Sequence, residues 1–322
     1  MKVTWDNQSS LPTVSLGRRK KSDERQEERG ANDSDDQLYL FSADEDVSGQ
    51  VEVILPANTR KLEHNGIKAE MIGQIELAYD RGNHYVFLST QQELAPPSIL
   101  TKDATYRFAF KGKDTTKEHE SYHGINVKLR YFVRVRIQRS YGPVIKEFEF
   151  CVQKVSPPPE VNNPLKMEVG IEDCLHIEFE YDKSKYHLKE IINGKINFVL
   201  VRIKITHMEL QILRRETTGS GPNLCNETEA VTKFEIMDGA PIKGETIPIR
   251  VFLEPHDLTP TLNTVHNKFS VKYYLNLVLV DEEERRYFKQ QEIILWRKDL
   301  KHSQNSDPAY FAPNYHDTKA GV

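Results

Sequence analysis

The chain has 322 residues, 38% hydrophobic and 29% charged, enough apolar material for one large core or, better, two cores of about 130 to 150 residues each. A peptide, a coiled-coil rod and a wholly disordered chain are excluded. Lys and Arg total 44 against 48 Asp and Glu, a net charge of −4, so no global basic field can hold nucleic acid by counterion release.

The start, Met1-Lys-Val-Thr-Trp-Asp, lacks the apolar core of a secretory signal, and no stretch approaches the roughly 18 to 20 apolar residues of a membrane helix; a cytosolic chain is expected. Residues 1–36 carry Gly17-Arg-Arg-Lys-Lys-Ser-Asp-Glu-Arg and Asn32-Asp-Ser-Asp-Asp, too polar to offset ordering by burial. They predict a mostly mobile arm with one short strand near Leu11. Arg18 to Lys21, followed by acids, read as part of that arm rather than as a nuclear signal.

Residues 37–155 predict a first antiparallel sandwich. Strands are expected at Gln50–Leu55, Ile67–Ala78, Tyr106–Phe110, Ile125–Ile137 and Ile145–Val155, with helical spacing nearly absent. The clearest is Ile125–Ile137, where Val127, Leu129, Tyr131, Val133 and Val135 alternate with Lys128, Arg130, Arg134 and Arg136. One face of it is buried. The basic face is expected to be solvated or to meet an acidic neighbour such as the Glu178 and Glu180 face; a phosphate or anionic membrane is the competing use. Just before this strand, His119-Glu120-Ser121-Tyr122-His123 matches the H-E-x-x-H of zinc peptidases. That chemistry needs one helical face to bring both imidazoles to the metal. Between Lys111-Gly112 and Gly124 at most two helical turns fit, so a solvated loop is expected.

Ser156-Pro-Pro-Pro-Glu-Val-Asn-Asn-Pro164 removes ladder donors and stiffens the chain, marking residues 156–166 as a linker. Leu165, Met167, Val169 and Ile171 alternate directly after it, and predict a strand with an edge left free. Residues 167–299 predict a second sandwich, with strands at Leu175–Asp182, Ile196–Leu213, Lys233–Met237, Ile247–Leu253, Phe269–Leu279 and Tyr287–Trp296. Thr217 to Glu229 read as a polar loop, whose Gly219-Ser-Gly221 lacks the helix of a phosphate cradle. Lys128 and Lys272, 144 positions apart (272 − 128), occupy similar places in two halves of similar plan. Phe234-Glu-Ile236-Met237-Asp238-Gly239 puts large apolar residues beside an Asp-Gly turn, either closing the core or anchoring a partner. The tail, 300–322, is polar and aperiodic and is expected to be disordered.

Cys151, Cys174 and Cys225 are odd in number and far apart, which reads as plain thiols in a reducing compartment. The sequon Asn226-Glu-Thr228 means little without a secretory route. No Gly-x-Ser-x-Gly elbow is present, and neither a catalytic residue, a metal nor a cofactor is expected.

Several blocks carry a family resemblance: Leu62-Glu-His-Asn-Gly-Ile-Lys, Ile72-Gly-Gln-Ile-Glu-Leu77, Lys166-Met-Glu-Val-Gly-Ile-Glu-Asp-Cys-Leu-His-Ile-Glu-Phe-Glu-Tyr181, Ile236-Met-Asp-Gly239 and Arg286-Tyr-Phe-Lys-Gln-Gln-Glu-Ile-Ile-Leu-Trp296. Together they closely resemble the vacuolar protein sorting-associated protein 26 family, the arrestin-like subunits of retromer, from about Leu38 to Lys298. The resemblance implies two tandem arrestin-like antiparallel β-sandwiches without enzymatic activity. It also implies an adaptor on the cytoplasmic side of endosomes, sorting membrane cargo toward the Golgi or cell surface. Ile236, Met237, Asp238 and Gly239 fall where the family docks onto the large α-solenoid subunit. Val169 and Phe288 fall where, with a sorting nexin, it lines a pocket for an apolar side chain of a cargo tail. Membrane association would run through these partners. The usual first strand of the family is replaced by Met1 to Gln37. An arrestin-like ubiquitin-ligase adaptor is the alternative, but it would want Pro-Pro-x-Tyr motifs, and the tail offers only Pro313-Asn-Tyr315.

Overall fold

The computed structural model describes residues 1–6 and 38–298, apart from 59, 81 and 172; the expectations for the arm over 7–37 and for the tail over 299–322 lie outside the described residues. What is described is nearly all strand, with two short 3-10 turns at Lys113–Thr115 and Gly221–Asn223. No helix among these residues is long and apolar enough to cross a membrane.

The first half contains β1 (Lys2–Trp5), β2 (Leu40–Ser42), β3 (Val47–Val53), β4 (Leu62–His64), β5 (Ile67–Leu77) and β6 (His84–Ala95). It continues with β7 (Ser98–Leu100), β8 (Ala104–Phe110), β9 (Tyr122–His123), β10 (Val127–Ile137) and β11 (Val144–Gln153). A three-stranded sheet, β1-β3-β8, packs on a larger one ordered β2-β11-β10-β5-β6, with β9 on β10 and β4-β7 as a separate ribbon. The period-two pattern of β10 has the predicted result: Leu129, Tyr131, Val133 and Val135 are fully buried. Between the sheets, the Trp5 ring meets Phe41, Phe108 and Phe150 edge on, at 5.4 to 5.7 Å.

The second half contains β12 (Leu165–Ile171), β13 (Leu175–Tyr181), β14 (Lys185–His187), β15 (Ile191–Val201) and β16 (Ile205–Thr218). After these come β17 (Cys225–Asp238), β18 (Thr246–Phe252), β19 (Leu262–Val265), β20 (Phe269–Asp281) and β21 (Arg286–Trp296). Its sheets are β12-β13-β15-β18 and β14-β21-β20-β16-β17, with β19 on β20. The larger sheets of the two halves have the same order, down to the short strands that pair in parallel with their last strands, β2 with β11 and β14 with β21. The duplicated plan suspected from the sequence is therefore present, with a shifted register. The positions that correspond are Tyr131 and Tyr273, 142 apart (273 − 131), rather than Lys128 and Lys272. Each tyrosine is fully buried, and each hydroxyl pins the segment ahead of the short added strand: Tyr131 donates to the His119 carbonyl (2.8 Å), and Tyr273 lies 2.9 Å from Thr259 Oγ1.

Three expectations need correction. Lys2–Trp5 is a strand of the first sandwich, paired with Gly49–Glu52, where the sequence predicts a mostly mobile arm with its one short strand near Leu11, a position outside the described residues; one buried Trp among four aromatic rings supplies what the average hid. Ile196–Leu213 is two strands, β15 and β16, in opposite sheets. Its apolar run continues through the crossing, with no Gly or Pro to mark the break. The loop expected over Thr217 to Glu229 is shorter, residues 219–224, because β16 and β17 pair up to it, with Thr217 opposite Asn226; the polar side chains that flank it belong to the end of a long solvated ribbon. The linker is held down: Asn162 Oδ1 accepts from the Ser184 and Lys185 N–H groups, both at 3.0 Å.

Candidate functional site

Ile236 and Met237 end β17, which is the edge of its sheet. Both are half-buried against the core, so they help to close it while part of each side chain stays accessible. Asp238 is exposed, opposite His207. Gly239 has φ +131 and donates its N–H to the Thr206 carbonyl at 2.9 Å; the left-handed backbone turns the chain away from the edge. The most exposed apolar group of this loop is one the sequence reading missed, Ile242, at 74%. Its signal was the same apolar cluster beside Asp-Gly, read three residues too short.

Val169 and Phe288 lie on different sheets of the second sandwich. Val169 is half-buried on β12, opposite Ile177 and facing the core; as predicted from the alternation, β12 is the edge strand of its sheet. Phe288 is 67% exposed on β21, opposite Val278. The turn before it is fixed by Asp281, whose carboxylate accepts the Glu283 and Arg285 N–H groups, the Arg285 guanidinium and the Tyr287 hydroxyl at 2.7 to 3.0 Å. Burial alone would raise that carboxyl's pKa, but the bonds from Arg285 and Tyr287 hold it down at about 2.

Three cations of the basic face of β10, Lys128, Arg130 and Arg134, are paired within their own sheet, by Glu76, Glu147 and Glu149 on the neighbouring strands rather than by Glu178 and Glu180. Arg130 reaches all three, at 2.6, 2.8 and 3.2 Å. Arg134 takes Glu147 at 2.8 Å and Lys128 takes Glu149 at 3.0 Å. Phe132, which interrupts the stripe, lies 4.4 Å beneath the Arg130 guanidinium. Glu180 pairs instead with Lys166 and Lys195.

The H-E-x-x-H segment is extended, not helical, and its two histidines part. His123 stands 3.4 Å from Glu149 Oε1, while His119 meets His266 of the second sandwich. The segment is in fact the clasp between the sandwiches. Glu120 accepts from Arg297 Nε at 2.9 Å. The Tyr122 ring stacks on Phe269 and its hydroxyl donates to Glu216 Oε2 at 3.0 Å. The Ile125 and Asn126 N–H groups donate to the same carboxylate at 3.0 and 2.7 Å. The Phe87 ring stacks on His266 at 5.0 Å. Burial, then the neighbouring His266, holds the His119 imidazole below the usual histidine range.

Two open antiparallel sandwiches of like topology, joined through a short connector and a buried polar clasp, define an arrestin-like two-lobed protein. The family model for vacuolar protein sorting-associated protein 26 matches residues 13–284. A protein of that name from Dictyostelium discoideum is 58% identical over 264 residues, 82% of this chain and 75% of that protein. Vacuolar protein sorting-associated protein 26B from Homo sapiens is 56% identical over 277 residues, 86% of this chain and 82% of the other; its counterpart in Danio rerio is 57% identical over 263. The chain belongs to the vacuolar protein sorting-associated protein 26 family.

Proposed function

We propose that this chain is a non-catalytic adaptor of retromer, acting in retrograde transport from endosomes to the Golgi or the cell surface and held on the cytoplasmic face of the membrane by its partners. The observation that carries the reading is identity of 56 to 58% to vacuolar sorting proteins across most of the chain. The end of β17, with Ile236, Met237, Asp238 and Gly239, would dock the large α-solenoid subunit. The free edge of β12 beside Val169 would take an extended cargo tail as an added strand. Phe288 would meet the same tail once a sorting nexin completes the pocket.

The test is co-purification with the α-solenoid subunit. Ile236→Asp with Met237→Asn is expected to lose it, since charge at a central anchor costs about 2 to 4 kcal/mol, roughly 30- to 1,000-fold in affinity. Unchanged capture by the folded variant would remove this loop from the interface.

A further inference from the structure

In three dimensions His119 joins a cluster that no linear motif contains. Glu118 and His119 precede β9 in the first sandwich, and His266 sits in the turn between β19 and β20 of the second. One ligand-capable atom of each lies within 4.8 Å of the other two. His119 Nε2 is 3.9 Å from Glu118 Oε2, and the imidazoles meet edge to face at 5.0 Å. His266 Nε2 is buried and, among the described residues, has no hydrogen-bond partner. Its φ is +47, between +39 at Thr264 and +56 at Asn267, a conformation that costs a non-glycine residue free energy. A strained backbone thus presents an imidazole with an orphaned nitrogen to a second imidazole and a carboxylate, across the boundary of two lobes.

We propose that Glu118, His119 and His266 form a three-ligand site for a divalent transition metal, zinc foremost, that bridges the two sandwiches. Two imidazoles and one carboxylate suit zinc at bonds of about 2.0 to 2.2 Å, which set tetrahedral ligand atoms about 3.3 Å apart. Glu118, with its side chain 69% exposed, has the freedom to close that difference. Calcium and magnesium, which take oxygen ligands, are disfavoured by the two nitrogens. The cleft that Glu118 and His119 line with Ser156, Thr261 and Asn263 leaves the fourth position to water. Lys154, a cation beside this cleft, is turned onto the Glu118 carbonyl at 2.8 Å. Peptidase chemistry does not follow, because Glu120 is engaged by Arg297.

The experiment uses the full, untagged, chelator-stripped chain, titrated calorimetrically with Zn²⁺ and spectroscopically with Co²⁺. His266→Asn removes the imidazole at little backbone cost, since Asn tolerates this φ; His119→Gln is the second variant. His123→Gln and His176→Asn are controls, the latter dismantling the exposed Glu168, His176, Glu178 group. Expected are one zinc per chain, a raised Tm with zinc, at least tenfold weaker binding in His266→Asn and His119→Gln, and no change in the controls. No uptake by the parent chain, uptake undiminished in His266→Asn, or uptake lost through His123 or His176 would overturn the site. Should His119→Gln fail to fold, Glu118→Gln with His266→Asn decides in its place.

Discussion

At the junction of the lobes the Glu216 carboxylate takes a hydroxyl and two backbone N–H groups while the residue stays 3% exposed. The space for it is made by Gly124, where an added Cβ would lie 1.6 Å from Glu216 Oε2 and 2.6 Å from the Tyr122 ring. Gly124→Ala should therefore displace the carboxylate and leave buried donors unmet, at about 2 to 4 kcal/mol. A melting scan should show Tm lowered by roughly 5 to 10 °C; an unchanged Tm would mean that the clasp contributes little. Glu149 gives a pH signature. Burial would raise its pKa, but His123, Lys128 and Arg130 outweigh burial and hold it at about 2. A depressed folded pKa contributes stability that is complete above the unfolded value and is lost as pH falls toward the folded one. On the order of 2 kcal/mol should disappear between about pH 5 and pH 2, and Glu149→Gln should flatten that part of a urea-denaturation series.

Among the elements, β12 ends its sheet and β21 carries Phe288 on another, so a tail bound along β12 gains backbone bonds from one lobe face only. Its affinity should be weak alone and should rise when a nexin supplies a second wall. Titrating a labelled cytoplasmic-tail peptide with and without the nexin checks this; equal binding by Phe288→Asp would place the peptide elsewhere. β10, β13 and β20 were legible because one face of each is apolar and buried throughout while the other is mostly polar and less buried, so the sequence alternates over most of each strand. β6 was not, since the more buried positions of its alternating stretch, Leu88 to Leu94, include the polar Thr90 and Gln92, and β15 and β16 fused because a crossing between sheets has no composition of its own. Of the sites, the Asp-Gly turn after Met237 was visible from local chemistry. His266 was invisible: nothing in the chain links it to His119, 147 positions away (266 − 119), until the lobes are packed.

For the whole molecule the duplicated topology makes a quantitative comparison possible. Tyr131 and Tyr273 do the same work in different lobes, so Tyr131→Phe and Tyr273→Phe should each cost about 1 kcal/mol and add in the double variant, being distant and without shared partners. Calorimetry checks this, and a single peak shifting in all three variants would show that the clasp makes the lobes one cooperative unit. The parallel pairs β2 with β11 and β14 with β21 have a consequence for synthesis. In each lobe a strand made early waits for the strand made last, and the pairs close only when Gln153 and then Trp296 have left the ribosome. A stop codon between Asp281 and Arg286 would yield one finished lobe carrying a second in which β14 and one side of β20 lack their partner β21, the kind of bare sheet edge that chaperones and proteases recognise, rather than a slightly shortened protein.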